Sequence, residues 1–327
     1  MTRMLTGAVA AALLAMATGA GAADQSFKFG HAAASTHMFN TGLELFAERV
    51  SDKTGGTVAI EVFGNRQLGD DRQLIEGVQL GTIDGALISA PLFSLAAGEP
   101  AFDALQLPFL VESYDALAGL LASDVGQAML DGLDDKNMKG LGFYEAGLRH
   151  FLTRGDAVTE TADFAGLKTR IVPIPLHKAT WEAVGTNPVG MPYGEVFSGL
   201  ETGVIDAVEI NLSSIKSENL FQNAKNVTLT GHYFWPGVLV MNKARFDALS
   251  DAEKAAIVEA GRETIAEQYR MAAADEAEVA EYLKANGVTI ATLEDLATMR
   301  EKMTPVIEEW RGKDPLIARF IDAASGS

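Results

Sequence analysis

The residues in this chain best suited to chemistry are its arginines. Arg149, Arg154 and Arg170 fall within one stretch, "GLRHFLTRGDAVTETADFAGLKTR". Guanidinium is planar and always charged, and it grips a carboxylate through two parallel hydrogen bonds. Arg170 lies in "GLKTRIVPIP", where strand alternation sends Thr169 and Ile171 to one face and Arg170 to the other, and Pro173 and Pro175 end the pairing. A cation inside an apolar strand requires an anion, because burying an unpaired charge is prohibitive. That anion is either an internal Asp or Glu or a ligand. Arg149 is a second cation able to share the charge.

Enzyme signatures are weak. There is no Gly-x-Ser-x-Gly elbow, no phosphate-binding glycine loop ending in Lys-Ser/Thr, and no Gly-x-Gly-x-x-Gly after a strand. His31 and His37 sit near the end of the first strand, while His150, His177 and His232 are scattered without metal-ligand spacing, so neither a metal nor a cofactor is expected. Ser213 and Lys216 form a Ser-x-x-Lys pattern that reads as a polar helix start. Glu209 near Asn211 is the only acid-base candidate, which keeps a secreted sugar-acid lyase as a remote alternative.

The elements that must position these residues are legible in outline. With 327 residues and 48% hydrophobic content, the chain is long enough for two domains. Its net charge of -18 disfavours nucleic acid and anionic membrane as partners, so an anionic ligand must be small and locally bound. The start, "MTRMLTGAVAAALLAMATGAGAADQ", has Arg3, an apolar run and Ala20-Gly21-Ala22, the pattern of an export signal cleaved near Ala22 or Ala23. No cysteine occurs. A soluble, exported, thiol-free chain suits a bacterial periplasm.

"SFKFG", "THMFNTGLELFAERVSDKTGG" and "TVAIEVF" read as strand, helix and strand, followed by helix "DDRQLIEGVQLGT" and strand "IDGALIS". The alternation returns as "GLKTRIV", "LHKATWEAVG", "NPVGM", "YGEVFSGLETG" and "VIDAVEI". "LIEGVQLGTIDGALIS" and "VFSGLETGVIDAVEIN" echo one another, which makes Ser89 and Asn211 equivalents. Ser250 and Glu253 have capping-box spacing and open a long helical run able to lie across both lobes.

Taken together, "QLGDDRQLIEGVQLGTID", "LPFL", "GLRHFLTR", "GLKTRIVPIP", "NPVGMPYGEVFSGLETGVIDAVE" and "GVLVMNKARFDALS" resemble the DctP-type solute-binding proteins of tripartite ATP-independent periplasmic (TRAP) transporters, in family order over essentially the whole mature chain. The resemblance implies an α/β, two-lobed periplasmic-binding-protein fold with a hinge and a long helix spanning both lobes. The boundaries read as signal peptide 1–23, lobe I 24–146 plus about 237–276, and lobe II 147–236 plus about 277–327. It implies a receptor, not an enzyme, that captures a sugar acid or C4-dicarboxylate and delivers it to the TRAP membrane permease, acting as a monomer. A small sulfonate or a 2-oxo acid is the alternative ligand. An ATP-driven importer's binding protein would share the shape but lack the "GLKxR" strand followed by "GVIDA".

Arg170 matches the family's carboxylate clamp and Arg149 a second arginine aimed at the same ligand. Arg154 sits where the family has a surface basic residue. Tyr193 matches an aromatic wall of the pocket. Where relatives read Glu-Asn, this chain has Glu209, Ile210 and then Asn211, so Asn211 is expected to take over an amide contact. His31, His37, Asp71 and Ser89 fall near first-lobe positions that face the cleft in relatives, with His37 equally readable as a surface histidine.

Overall fold

The computed structural model describes residues 23–325; apart from Ala23, the expected leader lies outside them. In the first lobe the chain winds β1 (Gln25–Gly30), α1 (Met38–Lys53), β2 (Val58–Phe63), α2 (Asp71–Leu80) and β3 (Gly85–Ser89), with β1 parallel to β2 on one side and to β3 on the other. α3 (Tyr114–Leu121) and α4 (Asp124–Gly132) lead into the long β4 (Met138–Thr153). The second lobe repeats the winding as β5 (Lys168–Ile171), α5 (Pro175–Ala183), β6 (Asn187–Gly190), α6 (Val196–Thr202) and β7 (Ala207–Asn211), with β5 parallel to β6 and β7. α7 (Leu212–Ser217), β8 (Asn226–Leu229), β9 (Phe234–Asn242), α8 (Lys243–Asp247), α9 (Asp251–Ala285), β10 (Thr289–Thr292), α10 (Leu296–Arg311) and α11 (Pro315–Ser325) complete the chain.

The sequence echo has a physical cause. α2 ends on Gly81 at φ 73° and α6 on Gly203 at φ 76°, the left-handed C-cap that glycine adopts without steric cost. The aspartate that follows each Ile then fastens the next strand. Asp84 Oδ2 accepts from Lys28 N at 2.9 Å and Asp206 Oδ2 accepts from Lys168 N at 3.0 Å, so each carboxylate pins β3 or β7 to its parallel neighbour, β1 or β5.

β4 belongs to both lobes. Its first half pairs antiparallel with β9 and its second half with β7 and β8, with register breaks between Gly140 and Gly142 and between Glu145 and Leu148. At the second break Gly147 adopts φ 117°, and the buried Glu145 carboxyl accepts from Gly147 N at 2.8 Å and Trp235 N at 2.9 Å. Gln268 of α9 brackets this crossing, accepting from Glu145 N at 2.8 Å while its amide donates to Glu145 O.

α9 runs for 35 residues from a capping box between Ser250 and Glu253. Its early turns hold α1 through Arg49–Glu267 and through Lys53, 3.1 Å from Glu259 and 2.9 Å from Glu263. Its last turns reach the second lobe, where Tyr282 meets Phe221 edge-on at 6.0 Å. The expected helix across both lobes is this one.

One core fills the first lobe, around Phe29, Leu43, Phe46, Ile75 and Phe102. The second lobe has two, one around Leu152, Val208 and Val227 and one around Phe151, Phe164 and Trp181. The C-terminus departs from the expected boundary. α10 starts against the second lobe with Met299 and Met303, but Ile317, Phe320 and Ile321 of α11 are buried in the first-lobe core. Trp310 Nε1 donates to Asp103 Oδ2 at 2.9 Å and marks the crossing back. Among the described residues no helix is long and apolar enough to cross a membrane.

Candidate functional site

A cavity of about 190 Å³ lies between the lobes, room for a small molecule rather than a peptide. Second-lobe strands supply its cations. Arg149 stands on β4 opposite Asn211 of β7, and Arg170 stands on β5; each is 3% exposed. The two guanidiniums differ in one decisive respect.

Arg149 already has its acid. Its Nε donates to Glu209 Oε2 at 2.7 Å, Nη2 lies 2.6 Å from the same oxygen and also donates to Glu209 O, and the guanidinium stacks on the Trp235 ring at 3.8 Å. Tyr233 OH donates to the same Glu209 oxygen at 3.0 Å. Burial alone would raise the Glu209 carboxyl, but the Arg149 charge together with His232 and His177 outweighs it and holds the group well below the usual carboxylate range. His177 and His232 flank Glu209, and burial lowers them to about 3 and about 4, so both are neutral there.

Arg170 has no acid. Its Nε and Nη2 donate to one oxygen, Met191 O, at 3.0 and 2.8 Å, and among the described residues no carboxylate forms an ion pair with it. Burial lowers its pKa to about 10, against the opposing pull of Glu209, and the group stays charged at neutral pH. Arg149, Arg170 and Glu209 thus sum to one positive charge on the second-lobe wall. Arg170 lines the cavity with its Nη1 unbonded among the described residues, a donor that suits a planar carboxylate.

The first lobe supplies the opposite chemistry. Asp71 begins α2, just after the capping residue Asp70, and Ser89 ends β3. Burial pushes the Asp71 carboxyl up to about 6, against the hydrogen bonds of Ser89 that favour its charged form. His37 caps α1 by accepting from Phe39 N at Nδ1, 3.1 Å, which leaves Nε2–H to donate to Ser214 Oγ of the second lobe at 3.1 Å. It is 3% exposed, so the surface reading of His37 does not hold. Two more links join the lobes: Glu218 accepts from Ala34 N at 3.1 Å and lies 3.0 Å from Arg66 Nη2.

Of the residues singled out in the sequence, Arg149, Arg170, Tyr193, Asp71, Ser89 and His37 line the cavity. Three do not. Glu209 is fully buried beneath Arg149. His31 is fully buried against Asn40 Oδ1 at 3.0 Å. Asn211 also fails to reach the cavity: its amide donates to Ala146 O at 2.7 Å and its Oδ1 accepts from Ser214 Oγ at 2.9 Å. The hydroxyl it orients belongs to Ser214, which does line the cavity, and Ile210 is core. Arg154 is exposed and outside the cavity.

Arg66, Ser214 and Trp235 were not singled out yet line the site. Trp235 sits in an apolar strand whose pattern reads as core. Arg66 follows Asn65 in a loop where both take positive φ, 54° and 60°, which places its guanidinium 5.0 Å from the Tyr193 ring. Two consecutive left-handed residues leave no periodic trace, and the only signal in sequence is the "GNRQLG" turn chemistry.

The sequence profile of the bacterial extracellular solute-binding protein family 7, DctP, matches residues 29–313. The 2,3-diketo-L-gulonate-binding periplasmic protein YiaO of Escherichia coli K12 is 31% identical over 89% of this chain and 88% of its own. Among solved structures, the sugar acid binding protein DctPAm of Advenella mimigardefordensis, in complex with galactonate, superposes with a TM-score of 0.88 at 29% identity over 94% of this chain and 99% of that one. A TRAP periplasmic solute binding protein of Sulfitobacter sp. NAS-14.1, with bound β-D-galacturonate, gives 0.86 at 28% identity over 92% and 100%. The chain therefore belongs to the DctP family, the periplasmic solute-binding receptors of TRAP transport, and is a receptor rather than an enzyme.

Proposed function

We propose that the cleft captures a hydroxyl-rich monocarboxylate of the sugar-acid class and that closure presents it to a TRAP membrane permease. The observation that carries this reading is Arg170, a buried guanidinium that no acid among the described residues neutralises. The ligand carboxylate docks on Arg170 and the free edge of Arg149, with Tyr193 as a wall, while Asp71, Ser89 and Ser214 meet hydroxyls. A C4-dicarboxylate would bring its second charge toward Asp71, so the same geometry favours a single carboxylate. Relatives described with galactonate, galacturonate and 2,3-diketo-L-gulonate support that class. The His37–Ser214 and Glu218 links are contacts that form only when the lobes approach, so ligand and latch stabilise one closed state. Export with cleavage near Ala22 or Ala23 and a monomeric mature chain complete the proposal.

Calorimetric titration of the mature protein against galactonate, galacturonate, succinate and a neutral polyol tests it. Micromolar or tighter binding of a sugar acid, weaker binding of succinate and none of the polyol are expected. A polyol bound as tightly as the acids would remove the carboxylate clamp.

A further inference from the structure

A second cavity, of about 690 Å³, shares no lining residue with the cleft. α3 and α4 form one wall, α9 the other, and Leu141, Gly142 and Phe143 of β4 lie between them. Gly142 occupies the register break in β4 and takes φ 153°, and a Cβ there would stand 2.4 Å from Ile265 Cδ1. The bare glycine thus lets α9 close onto the strand. The depth of the cavity is apolar, walled by Leu121, Leu130, Phe143 and Ile265.

Of the polar groups in that lining, three on α9 matter most. Tyr269 is 5% exposed, yet its hydroxyl has no hydrogen-bond partner, and burial with the nearby Glu145 charge raises its pKa well above 10, leaving a neutral donor unanswered. Arg262 and Arg270 stand on the exposed side of α9 with Ala266 between them at successive i, i+4 positions. Neither forms an ion pair among the described residues, although the chain carries a net -18 and the nearby Arg49 and Lys53 are both paired with α9 glutamates. Arg270 Nε does donate to Ala266 O at 3.3 Å, but a greasy recess with a buried donor inside and two cations without an acid at its mouth is complementary to a molecule with an apolar body and one anionic end.

We propose that this cavity is a second binding site, for an amphiphilic monoanion with an aromatic or short aliphatic body and a carboxylate or sulfonate head. The body lies against Leu121, Leu130 and Phe143, an acceptor atom meets the Tyr269 hydroxyl, and the head sits between Arg262 and Arg270. Asp115 on the opposite rim opposes a second negative charge. Sugar acids are too hydrated for such a lining, so the two sites select different molecules.

Fluorescence titration of the full chain with 8-anilinonaphthalene-1-sulfonate tests the site. One saturable equivalent with blue-shifted emission is expected, unchanged by Arg170→Ala in the cleft. The pair Arg262→Ala and Arg270→Ala should weaken it about ten-fold, Tyr269→Phe by a smaller factor, and Ala266→Trp should block it. Arg262, Ala266 and Arg270 are exposed positions on α9, so their replacement leaves the core untouched, and unchanged melting temperatures of all the variants, the buried Tyr269→Phe included, verify it. Absence of saturable binding, indifference to the Arg262 and Arg270 pair, or loss of binding in Arg170→Ala would each overturn the proposal.

Discussion

The two lobes share one winding and put opposite chemistry on the two walls of the cleft. Where β3 of the first lobe ends in Ser89 beside Asp71, the second lobe places Arg170 on β5 and Arg149 on β4, with β7 between the two strands. The backbone device is common to both, down to Asp84 and Asp206 pinning their parallel strands. What differs is the charge each lobe leaves unsatisfied: one guanidinium in the second, one half-buried carboxyl in the first. A duplicated frame can therefore divide recognition, with one half reading the ligand's charge and the other its hydroxyls.

Removing the unsatisfied cation should break that division most severely. Arg170→Ala is expected to weaken sugar-acid binding about a hundred-fold or more, since charge-assisted hydrogen bonds contribute about 1.5–3 kcal/mol each, and Arg170→Lys should recover only part because the fork is lost. Calorimetry reads both, and affinity unchanged in Arg170→Ala would end the assignment of charge recognition to the second lobe. Glu209→Ala attacks the satisfied cation instead. It leaves Arg149 buried without its acid, so stability should fall by about 3–5 kcal/mol in denaturant unfolding.

Asp71→Asn sharpens the comparison from the other side. Removing the first-lobe charge should shift the ratio of sugar-acid to succinate affinity by about ten-fold toward the dicarboxylate, because the repulsion of a second carboxylate disappears. A ratio that stays put in parallel titrations would mean that Asp71 plays no part in selecting charge.

Glu145 lies where the lobes meet, and its effect is on stability. Burial raises its carboxyl from 4.5 to about 8, against the pull of the Gly147 and Trp235 amides. Between those values the folded chain keeps a proton that the unfolded chain has lost, so this contribution is full below pH 4.5 and fades as pH rises to about 8. The melting temperature should drop over that window, and Glu145→Gln should flatten the drop while keeping an acceptor for both amides. An equal slope in the variant would place the titration elsewhere. Smallest of all, Arg154→Ala should leave sugar-acid affinity within about two-fold, since the side chain is exposed and outside the cleft.

Much of the frame was legible because periodicity reports burial. The alternation of "GLKTRIV" and the glycine ends of α2 and α6 located their elements, and the arginine on β5 announced itself by standing among apolar neighbours. The rest depended on distant parts of the chain. Nothing near Glu209 in sequence says that Arg149, 60 residues away, will claim it. The place of Asn211 in a motif points to a contact, yet Ala146 O and Ser214 hold its amide behind the wall. The apolar stripe of α11 does not reveal which core receives it.

Trp235 touches all three parties to closure. Its ring lies under Arg149, its indole Nε1 donates to Ser89 Oγ at 3.4 Å, and its backbone amide is held by Glu145 at the crossing of the lobes. The other two tryptophans of the chain, Trp181 and Trp310, are packed in cores and lie outside the cleft. The protein therefore carries a native optical gauge. Occupation of the cleft should change the emission of a single indole, so that the speed of trapping is readable by stopped flow without any attached dye.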